Sequence, residues 1–356
     1  HLDAASGTVT AGAGVSLDQI LRVIVPAGFF LPVTPGTRNV TLGGAIAADV
    51  HGKNHHVDGS FGNHVQRLLL VDGAGSLREL RPEEGDVSFF WATIGGMGLN
   101  GVIIEATFSL IPITTSLISV NTTRYRDLES LMAAMVEADA KYRYSVAWVD
   151  SLDPKGRGVL TCGDHARLDQ LSTTQQADPL NYDPKALASA PPFLPGGLLN
   201  KLTVRAFNEM WYRKAPKQRE GELQAIAPFF HPLDGVEDWN RFYGPAGFLQ
   251  YQFAVPNESA HMVPRTLEAL RQAEGAVLAA LDYRVSQIAT TSTGLAAILQ
   301  QLHEQGAAPL DAQTLYLASY LADLSLLEYH LLQVAPSRLA ASCLAYAALL
   351  RGGCLN

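Results

Sequence analysis

The segment from residue 35 to residue 64 constrains the fold of this chain more than any other, because it combines many glycines with few bulky side chains. It reads PGTRNVTLGGAIAADVHGKNHHVDGSFGNH, and four of the chain's ten histidines lie between His51 and His64. Glycines allow consecutive backbone N–H groups to form an anion-binding concavity, and small side chains allow a ligand to lie against the main chain. The segment therefore favours a loop shaped by contact with a large ligand.

The histidines of this segment are open to three interpretations. His51 and His55 would share a face of a helix and could bind a metal, but the glycine and asparagine between them disfavour a helix there. A polar surface loop without a special role is the second interpretation. The third is contact with a bulky dinucleotide, in which threonine hydroxyls donate to phosphate oxygens. The segment lacks both GxGxxG and Walker spacing, so a Rossmann or P-loop site is not supported.

Length and composition narrow the class of protein. A chain of 356 residues predicts two or three domains. A net charge of −8 argues against nucleic acid as the main partner, because phosphate binding needs clustered cations. We expect no membrane-spanning helix, since no run of about 18 apolar residues occurs. The chain starts at His1 rather than at methionine, which indicates a fragment or a processed chain. The cysteines form no CxxC pair and predict neither a zinc knuckle nor a disulfide framework: Cys162, Cys343 and Cys354.

Residues 1–112 alternate short β-like runs with glycine turns. GTVTAGAGVS predicts a strand, a turn and the start of a helix, and LDQILRVI carries apolar residues at helical spacing. LLLVDGAG followed by LRELRP predicts a hairpin that turns at Asp72 and Gly73. GVIIEATFSLIPI predicts a buried strand.

Residues 113–275 predict a second α+β unit. SLISVNTTRY and YSVAWVDSL read as strands, and DLESLMAAMVEADAKY reads as a helix capped by Asp127. Residues 163–200 predict a long surface loop, and GFLQYQFAVP predicts another strand. Residues 276–356 are rich in alanine and leucine and predict an all-α helical domain. The expected fold class is therefore α+β with an all-α carboxy-terminal domain.

Several long blocks closely resemble the decaprenylphosphoryl-ribose oxidases, which are FAD flavoproteins of the vanillyl-alcohol-oxidase type. The blocks include PVTPGTRNVTLGGAIAADVHGKNHHVDGSFGNHV, FFWATIGGMGLNGVIIEATFSLIPI and FLPGGLLNKLTVRAFNEMWYRKAP. The resemblance covers roughly residues 5–255 and implies an FAD-binding domain at 1–112 and a substrate domain at 113–275. The family's amino-terminal and closing segments find no counterpart, so the resemblance implies an incomplete FAD-binding domain.

The resemblance implies roles for individual residues. His51 is the candidate proton-handling residue, and a structural histidine hydrogen-bonded to flavin is the alternative role. In FLQYQF, two glutamines alternate onto one strand face and could bind sugar hydroxyls, unless that face is a solvent-exposed sheet edge. The cations of WYRK, Arg213 and Lys214, could meet a lipid phosphate or remain solvated. The implied FAD contacts are Gly36, Thr37, Thr41, Leu42, Gly43, Gly44, Ala48, Asp49, Val50 and Ile103, and the implied substrate contacts are Tyr243, Gln250 and Gln252.

The resemblance also implies a reaction and partners. It implies oxidation of the C2 hydroxyl of a lipid-linked ribose phosphate to a 2-keto sugar, and an NADH-dependent reductase that completes the epimerisation. Peripheral membrane contact is compatible with such a substrate, in either the cytoplasm or the periplasm. Residues 276–350 resemble the carboxy-terminal box of cyclins, through SLLEY and PSRLAAS. The alternative function is therefore a helical interaction module fused to a degenerate flavoenzyme fragment. Kinase binding is poorly supported, because the kinase-gripping amino-terminal box has no counterpart.

Overall fold

Short strands and helices alternate through the part of the chain that the computed structural model describes, namely residues 1–185, 188–191, 201–243 and 253–269. The strands are β1 Leu2–Asp3, β2 Thr8–Gly12, β3 Phe29–Phe30, β4 Val65–Asp72, β5 Leu77–Leu80, β6 Gly101–Ser109, β7 Ile111–Pro112, β8 Leu117–Tyr125, β9 Tyr144–Val149, β10 Gly158–His165, β11 Ala188–Ser189, β12 Gln218–Ala225 and β13 Val236–Glu237. The helices are α1 Leu17–Ile24, α2 Leu42–Ala47, α3 His55–Asp58, α4 Val87–Thr93, α5 Leu128–Asp139, α6 Thr173–Gln176, α7 Lys201–Lys214 and α8 Ile226–Phe230. Short 3-10 helices span Phe61–His64, Leu168–Gln170, Pro232–Gly235, Trp239–Tyr243 and Asn257–Ser259.

The larger sheet is antiparallel, with the strand order β1-β2-β6-β4-β5. Helix α1 follows β2 as the sequence predicted. The Ser16 side chain accepts a hydrogen bond from the Gln19 N–H, and the Gln19 side-chain oxygen accepts one from the Ser16 N–H. This capping box satisfies two donors at the start of α1, an arrangement that stabilises a helix by about 1 kcal/mol. The predicted hairpin at Asp72 is confirmed, because the Asp72 N–H donates to the Ser76 carbonyl at 3.0 Å.

The second sheet is antiparallel with the order β12-β8-β10-β9, and helix α5 packs against it. Asp127 caps α5 by accepting from the Ser130 N–H at 2.9 Å, as predicted. The predicted surface loop at 163–200 is wrong at its beginning, because β10 continues to His165 and pairs with β8 and β9 on both sides. Helix α7 was not predicted.

One hydrophobic core connects the two sheets. It contains Leu17 and Phe108 from the first sheet and its helix, and Val120, Tyr144 and Phe230 from the second sheet and helix α8. The chain divides into a unit of residues 1–264 and a second unit of residues 265–356. The second unit is described only at 265–269, so the predicted all-α domain lies outside the described residues. The domain boundaries at 112 and 275 stay predictions. None of the helices in the described ranges has the length and apolar character to span a bilayer.

Candidate functional site

Helix α2 has one face that carries no bulky side chain. Thr41, Gly44 and Ala48 are exposed, and their spacing of three and four residues places them on the same side of the helix. Leu42 and Ile46 point the other way and are fully buried. We call Thr41, Gly44 and Ala48 the bare face of α2. The backbone of this face is accessible to a ligand.

The turn after β2 lies beside the start of α2, because the Gly43 N–H donates to the Ala13 carbonyl at 2.8 Å. A Cβ atom placed on Gly14 or on Gly36 would meet no atom within 4 Å. Neither glycine is therefore required by packing inside the protein. Gly43 differs, because its Cβ would lie 2.9 Å from the Cβ of Ala13.

The N–H groups at the start of α2 already have partners in the chain. The Leu42 N–H donates to the Val15 carbonyl at 2.8 Å, and the Gly44 N–H donates to the Thr41 hydroxyl oxygen at 3.1 Å. The Gly43 N–H donates to the Ala13 carbonyl. The predicted anion-binding concavity is therefore wrong for the N–H groups of Leu42, Gly43 and Gly44. The Thr41 oxygen accepts the Gly44 bond, so its hydroxyl hydrogen remains available to donate to a ligand.

Asp49 shapes the turn that leads from α2 into the histidine loop. Its φ of 42° lies in the left-handed region, which costs an ordinary residue about 1 kcal/mol. Its carboxylate accepts from the Ser60 hydroxyl at 2.8 Å and from the Gly62 N–H at 2.8 Å, and these bonds hold the conformation. The Asp49 side chain therefore faces the loop interior, and its main chain is the part that could meet a flavin.

Two other predicted cofactor residues contribute to packing. The side chains of Val50 and Ile103 are partly buried against the core. The Val50 N–H donates to the Ala45 carbonyl at 3.0 Å. The role of these residues as FAD contacts stays a prediction.

Two histidine side chains stabilise the histidine loop, residues 51–64, through hydrogen bonds to backbone carbonyls. His56 Nε2 lies 3.0 Å from the Tyr142 carbonyl, and His64 Nε2 lies 2.9 Å from the Asp58 carbonyl. His51 is exposed and pairs through its backbone with Ser60. Among the described residues, no group of three or more His, Cys, Asp or Glu side chains is placed to hold a metal ion.

Asp234 anchors the segment before α2, and sequence reasoning missed it. This carboxylate is 4% exposed and accepts from the Thr37 hydroxyl at 2.6 Å, the Arg38 N–H at 2.7 Å and the Asn39 side-chain amide at 3.1 Å. Arg38 also donates from Nε to Asp18 at 2.7 Å. The Thr37 hydroxyl therefore donates to Asp234 and not to a ligand.

Arg143 fixes the histidine loop to the second sheet. It donates from Nε and Nη2 to the two Asp58 oxygens at 2.8 and 2.7 Å. Burial raises the pKa of Asp58, but the hydrogen bonds from Arg143 and Asn54 outweigh burial and lower it below its ordinary value. No local sequence pattern could reveal this pair, because 85 positions separate its members.

Lys53 makes a second connection from the loop to the second half of the chain. Its Nζ donates to the Phe229 carbonyl at 2.5 Å and lies 4.3 Å from the centre of the Phe229 ring. Burial lowers the pKa of Lys53 to about 8. Together with the Arg143 pair, this contact holds the loop that carries His51 in one position.

The predicted substrate residues cannot be placed in this arrangement. Tyr243 ends the 3-10 helix Trp239–Tyr243, and its side chain lies outside the described residues. Gln250 and Gln252 also lie outside the described residues. Their proposed contact with a sugar stays a prediction.

Comparisons with known proteins agree with the interpretation that the bare face of α2 contacts a cofactor. Residues 1–81 match the family described as FAD binding domain. The chain is 45% identical over 262 residues to decaprenylphosphoryl-beta-D-ribose oxidase of Mycolicibacterium smegmatis, which covers 72% of this chain and 57% of that protein. It is 30% identical over 151 residues to L-gulonolactone oxidase 3 of Arabidopsis thaliana, covering 40% of this chain and 25% of that protein. These matches confirm the resemblance, and FAD is the cofactor that they support.

Two further matches bear on the extent of the chain. It is 35% identical over 246 residues to a Streptomyces coelicolor protein known as an uncharacterized protein in the mprA 5' region, which covers 66% of each chain. The chain thus spans 57% and 66% of the first two relatives. Residues 297–353 match the family described as cyclin, C-terminal domain, and lie outside the described residues.

Proposed function

We propose, on the premise that residues 1–81 belong to the FAD binding domain family, that this chain is part of an FAD-dependent oxidoreductase. The proposed substrate is decaprenylphosphoryl-ribose, oxidised at its C2 hydroxyl to the 2-keto sugar, and an NADH-dependent reductase is the proposed partner that completes the epimerisation. The exposed bare face of α2 is the observation that best supports this proposal. The substrate is supported by the 45% identity to the decaprenylphosphoryl-beta-D-ribose oxidase of Mycolicibacterium smegmatis.

The described residues fit a bound dinucleotide. The bare face of α2 and the open positions of Gly14 and Gly36 leave the main chain accessible, where any larger side chain would stand in the way. Thr41 would donate its hydroxyl hydrogen to a phosphate oxygen. Ala48 would permit the close approach of a flat ring system. FAD would supply a two-electron acceptor for the hydride of the substrate carbon.

His51 would take the hydroxyl proton while the carbon loses its hydride. His51 is exposed and follows Ala48 by three residues, and an imidazole nitrogen can accept a proton. The ion pair of Arg143 with Asp58 and the hydrogen bond of Lys53 to the Phe229 carbonyl would keep the loop that carries this ring in position. Proton transfer by a positioned side chain contributes a factor of about 10² to 10⁴ in rate.

The direct test is flavin binding followed by turnover. Purified chain is incubated with FAD, desalted, and examined for flavin absorbance, and then mixed anaerobically with a short-chain polyprenylphosphoryl-ribose. We expect retained flavin and bleaching of its absorbance by this substrate but not by free ribose. A preparation that takes up no added FAD would contradict the proposal at its premise.

His51→Asn is expected to retain flavin and to lose about 10²-fold in the rate of bleaching, because the amide cannot accept the proton. The neighbouring substitution His55→Asn serves as the matched control, since the His55 ring is also exposed. Stopped-flow absorbance measures both rates. Equal rates for the two variants would remove His51 from the mechanism and leave it a structural role beside the flavin.

Gly36→Val is expected to weaken FAD binding at least tenfold without lowering Tm. The protein leaves open space around the Gly36 Cβ position, so a loss of affinity must come from displacing the ligand. Gly73→Val is the control, because a Cβ there also meets nothing within 4 Å but lies in the distant β4–β5 hairpin. Fluorescence titration with FAD measures affinity, and thermal melting measures Tm. Unchanged affinity in Gly36→Val would place the pyrophosphate elsewhere.

A further inference from the structure

Helix α7 turns its polar side toward the protein. The Asn208 amide donates to Asp150 at 2.7 Å, and Arg157 Nη1 lies 2.6 Å from the Glu209 carboxylate. The Tyr212 hydroxyl donates to the Tyr125 carbonyl at 3.2 Å. Hydrogen bonds and an ion pair, rather than apolar packing, therefore fix α7 to the second sheet.

The opposite side of α7 is apolar and faces outward. Phe207 is 51% exposed, Met210 57% and Trp211 41%, and the Phe207 and Trp211 rings stack with centres 5.9 Å apart. A surface helix of a soluble domain normally has the reverse arrangement, with its apolar stripe on the core. We call Phe207, Met210 and Trp211 the apolar face of α7. Such a face indicates a contact that the described chain does not itself provide.

Cations gather at the carboxy-terminal end of this face. At 100° per residue, Lys214 lies on the same side of the helix as Phe207 and Met210, one turn beyond Met210. Arg213, Lys214 and Lys217 are all exposed. Glu209 pairs with Arg213, whereas no ion pair is found for Lys214 or Lys217 among the described residues. Because the whole chain carries a net charge of −8, this cationic end is a local exception.

We propose that the apolar face of α7 docks on an anionic lipid surface. Aromatic and aliphatic side chains would enter the boundary between headgroups and acyl chains, and the three cations would lie at the level of the phosphates. Lysine stems reach from an apolar contact to the polar headgroups, which suits Lys214 at the edge of the face. A dimer of two such faces would instead bury the cations of both copies in one interface at a desolvation cost.

This inference rests on the proposed function, because a lipid-linked sugar phosphate resides in a membrane. It deepens that function by naming the surface from which the substrate would be taken. The face lies in the same unit as the bare face of α2, residues 1–264. An enzyme held at the bilayer would meet its substrate without extracting the polyprenyl chain into water.

The test is vesicle flotation of the full chain. In one arm the vesicles contain phosphatidylcholine with 30 mol% phosphatidylglycerol. In the other arm they contain phosphatidylcholine alone. We expect binding to the anionic vesicles, and at least tenfold weaker binding by the double variant Phe207→Ser with Trp211→Ser. Val136→Ser is the matched control, since Val136 is 72% exposed on helix α5 of the same unit and should leave binding unchanged.

A second variant tests the charges without altering any apolar side chain of the face. Lys214→Glu with Lys217→Glu is expected to lower binding to anionic vesicles at least fivefold, and 0.5 M NaCl should lower binding by the unaltered chain in the same direction. All altered side chains are exposed, so Tm should stay close to that of the unaltered chain. Circular dichroism melts confirm that each variant is folded.

Three results would overturn the inference. They are no flotation with anionic vesicles, flotation unaffected by both double variants, or a concentration-dependent dimer that the serine variant abolishes. FAD binding is measured on the same preparations. A chain that binds FAD but not vesicles refutes the membrane contact alone, and a chain that binds vesicles but not FAD refutes the proposed oxidoreductase alone.

Discussion

Asp234→Ala is expected to lower the free energy of unfolding by about 3–5 kcal/mol, because it removes one partner of a buried charged network. The substitution would leave the Thr37 hydroxyl, the Arg38 N–H and the Asn39 amide without their acceptor. Arg38 is 7% exposed and, among the residues that the structure describes, would keep only Asp18 as a carboxylate partner. A buried donor without an acceptor costs about 1–3 kcal/mol by itself.

The same substitution should also weaken FAD binding. Residues 37–39 lie directly before the Thr41 cap, and Asp234 is the group that fixes them to the 3-10 helix Pro232–Gly235. With that anchor removed, Gly36 and Thr41 would no longer be held in the geometry that the bare face of α2 requires. We therefore expect a lower affinity for FAD. An excess of FAD should restore part of the lost stability, because a ligand that binds only the folded state stabilises it.

Urea denaturation followed by circular dichroism measures the change in stability. Asp234→Asn keeps one acceptor oxygen and should lose distinctly less than Asp234→Ala. Asp169→Ala removes an exposed carboxylate that is paired with Arg167 and should cause no measurable change. If Asp234→Ala unfolds at the same urea concentration as Asp169→Ala, the network around Arg38 does not anchor the loop.

Local patterns of the sequence were sufficient for the elements around the site. The capping residues Ser16 and Asp127 stand at the predicted helix starts, because a side-chain cap acts within three residues of itself. The exposure of Gly36, Gly44 and Ala48 also follows the expectation drawn from the glycine-rich segment. Short-range chemistry determines these features, and it is visible in the order of the residues.

The sequence could not show which groups meet across long separations. The Thr37 hydroxyl and Asp234 are 197 positions apart, and no periodicity connects them. Leu42 and Gly43 were expected to contact FAD, but their N–H groups donate to the carbonyls of Val15 and Ala13. The partner of a backbone donor depends on tertiary packing. Helix α7 was not predicted either.

Acidification is expected to destabilise the protein steeply between about pH 6.5 and pH 4, through two buried histidines. The ring of His165 lies among aromatic rings, 5.1 Å from Phe30 and 5.7 Å from Tyr144, and neither of its nitrogens has a hydrogen-bond partner. His231 is 1% exposed, with Nε2 at 2.8 Å from the Thr34 hydroxyl and no partner for Nδ1. The Asp18 carboxylate favours the imidazolium of His231, but burial, Arg38 and Lys53 outweigh it.

Burial lowers the pKa of His165 to about 4 and that of His231 to about 3, and nearby Arg143 and Arg38 act in the same direction. In the unfolded chain both pKa values return to about 6.5. Below pH 6.5 the unfolded state therefore binds two more protons than the folded state, and stability falls as the pH falls. Two protons correspond to a slope of about 3 kcal/mol per pH unit near pH 5, and the loss ends below the folded-state values.

The slope, rather than the stability at one pH, identifies the histidines as the cause. Urea denaturation at pH 6 and pH 5 measures it in a window above the range where carboxylates titrate. His165→Phe should reduce the slope by about half, since one of the two protons no longer binds on unfolding. At pH 7.5 it should change stability little, because phenylalanine replaces a ring that makes no hydrogen bond with an apolar ring of similar shape. His55→Phe alters an exposed ring and should leave the slope intact. An undiminished slope in His165→Phe would assign the acid sensitivity to other groups.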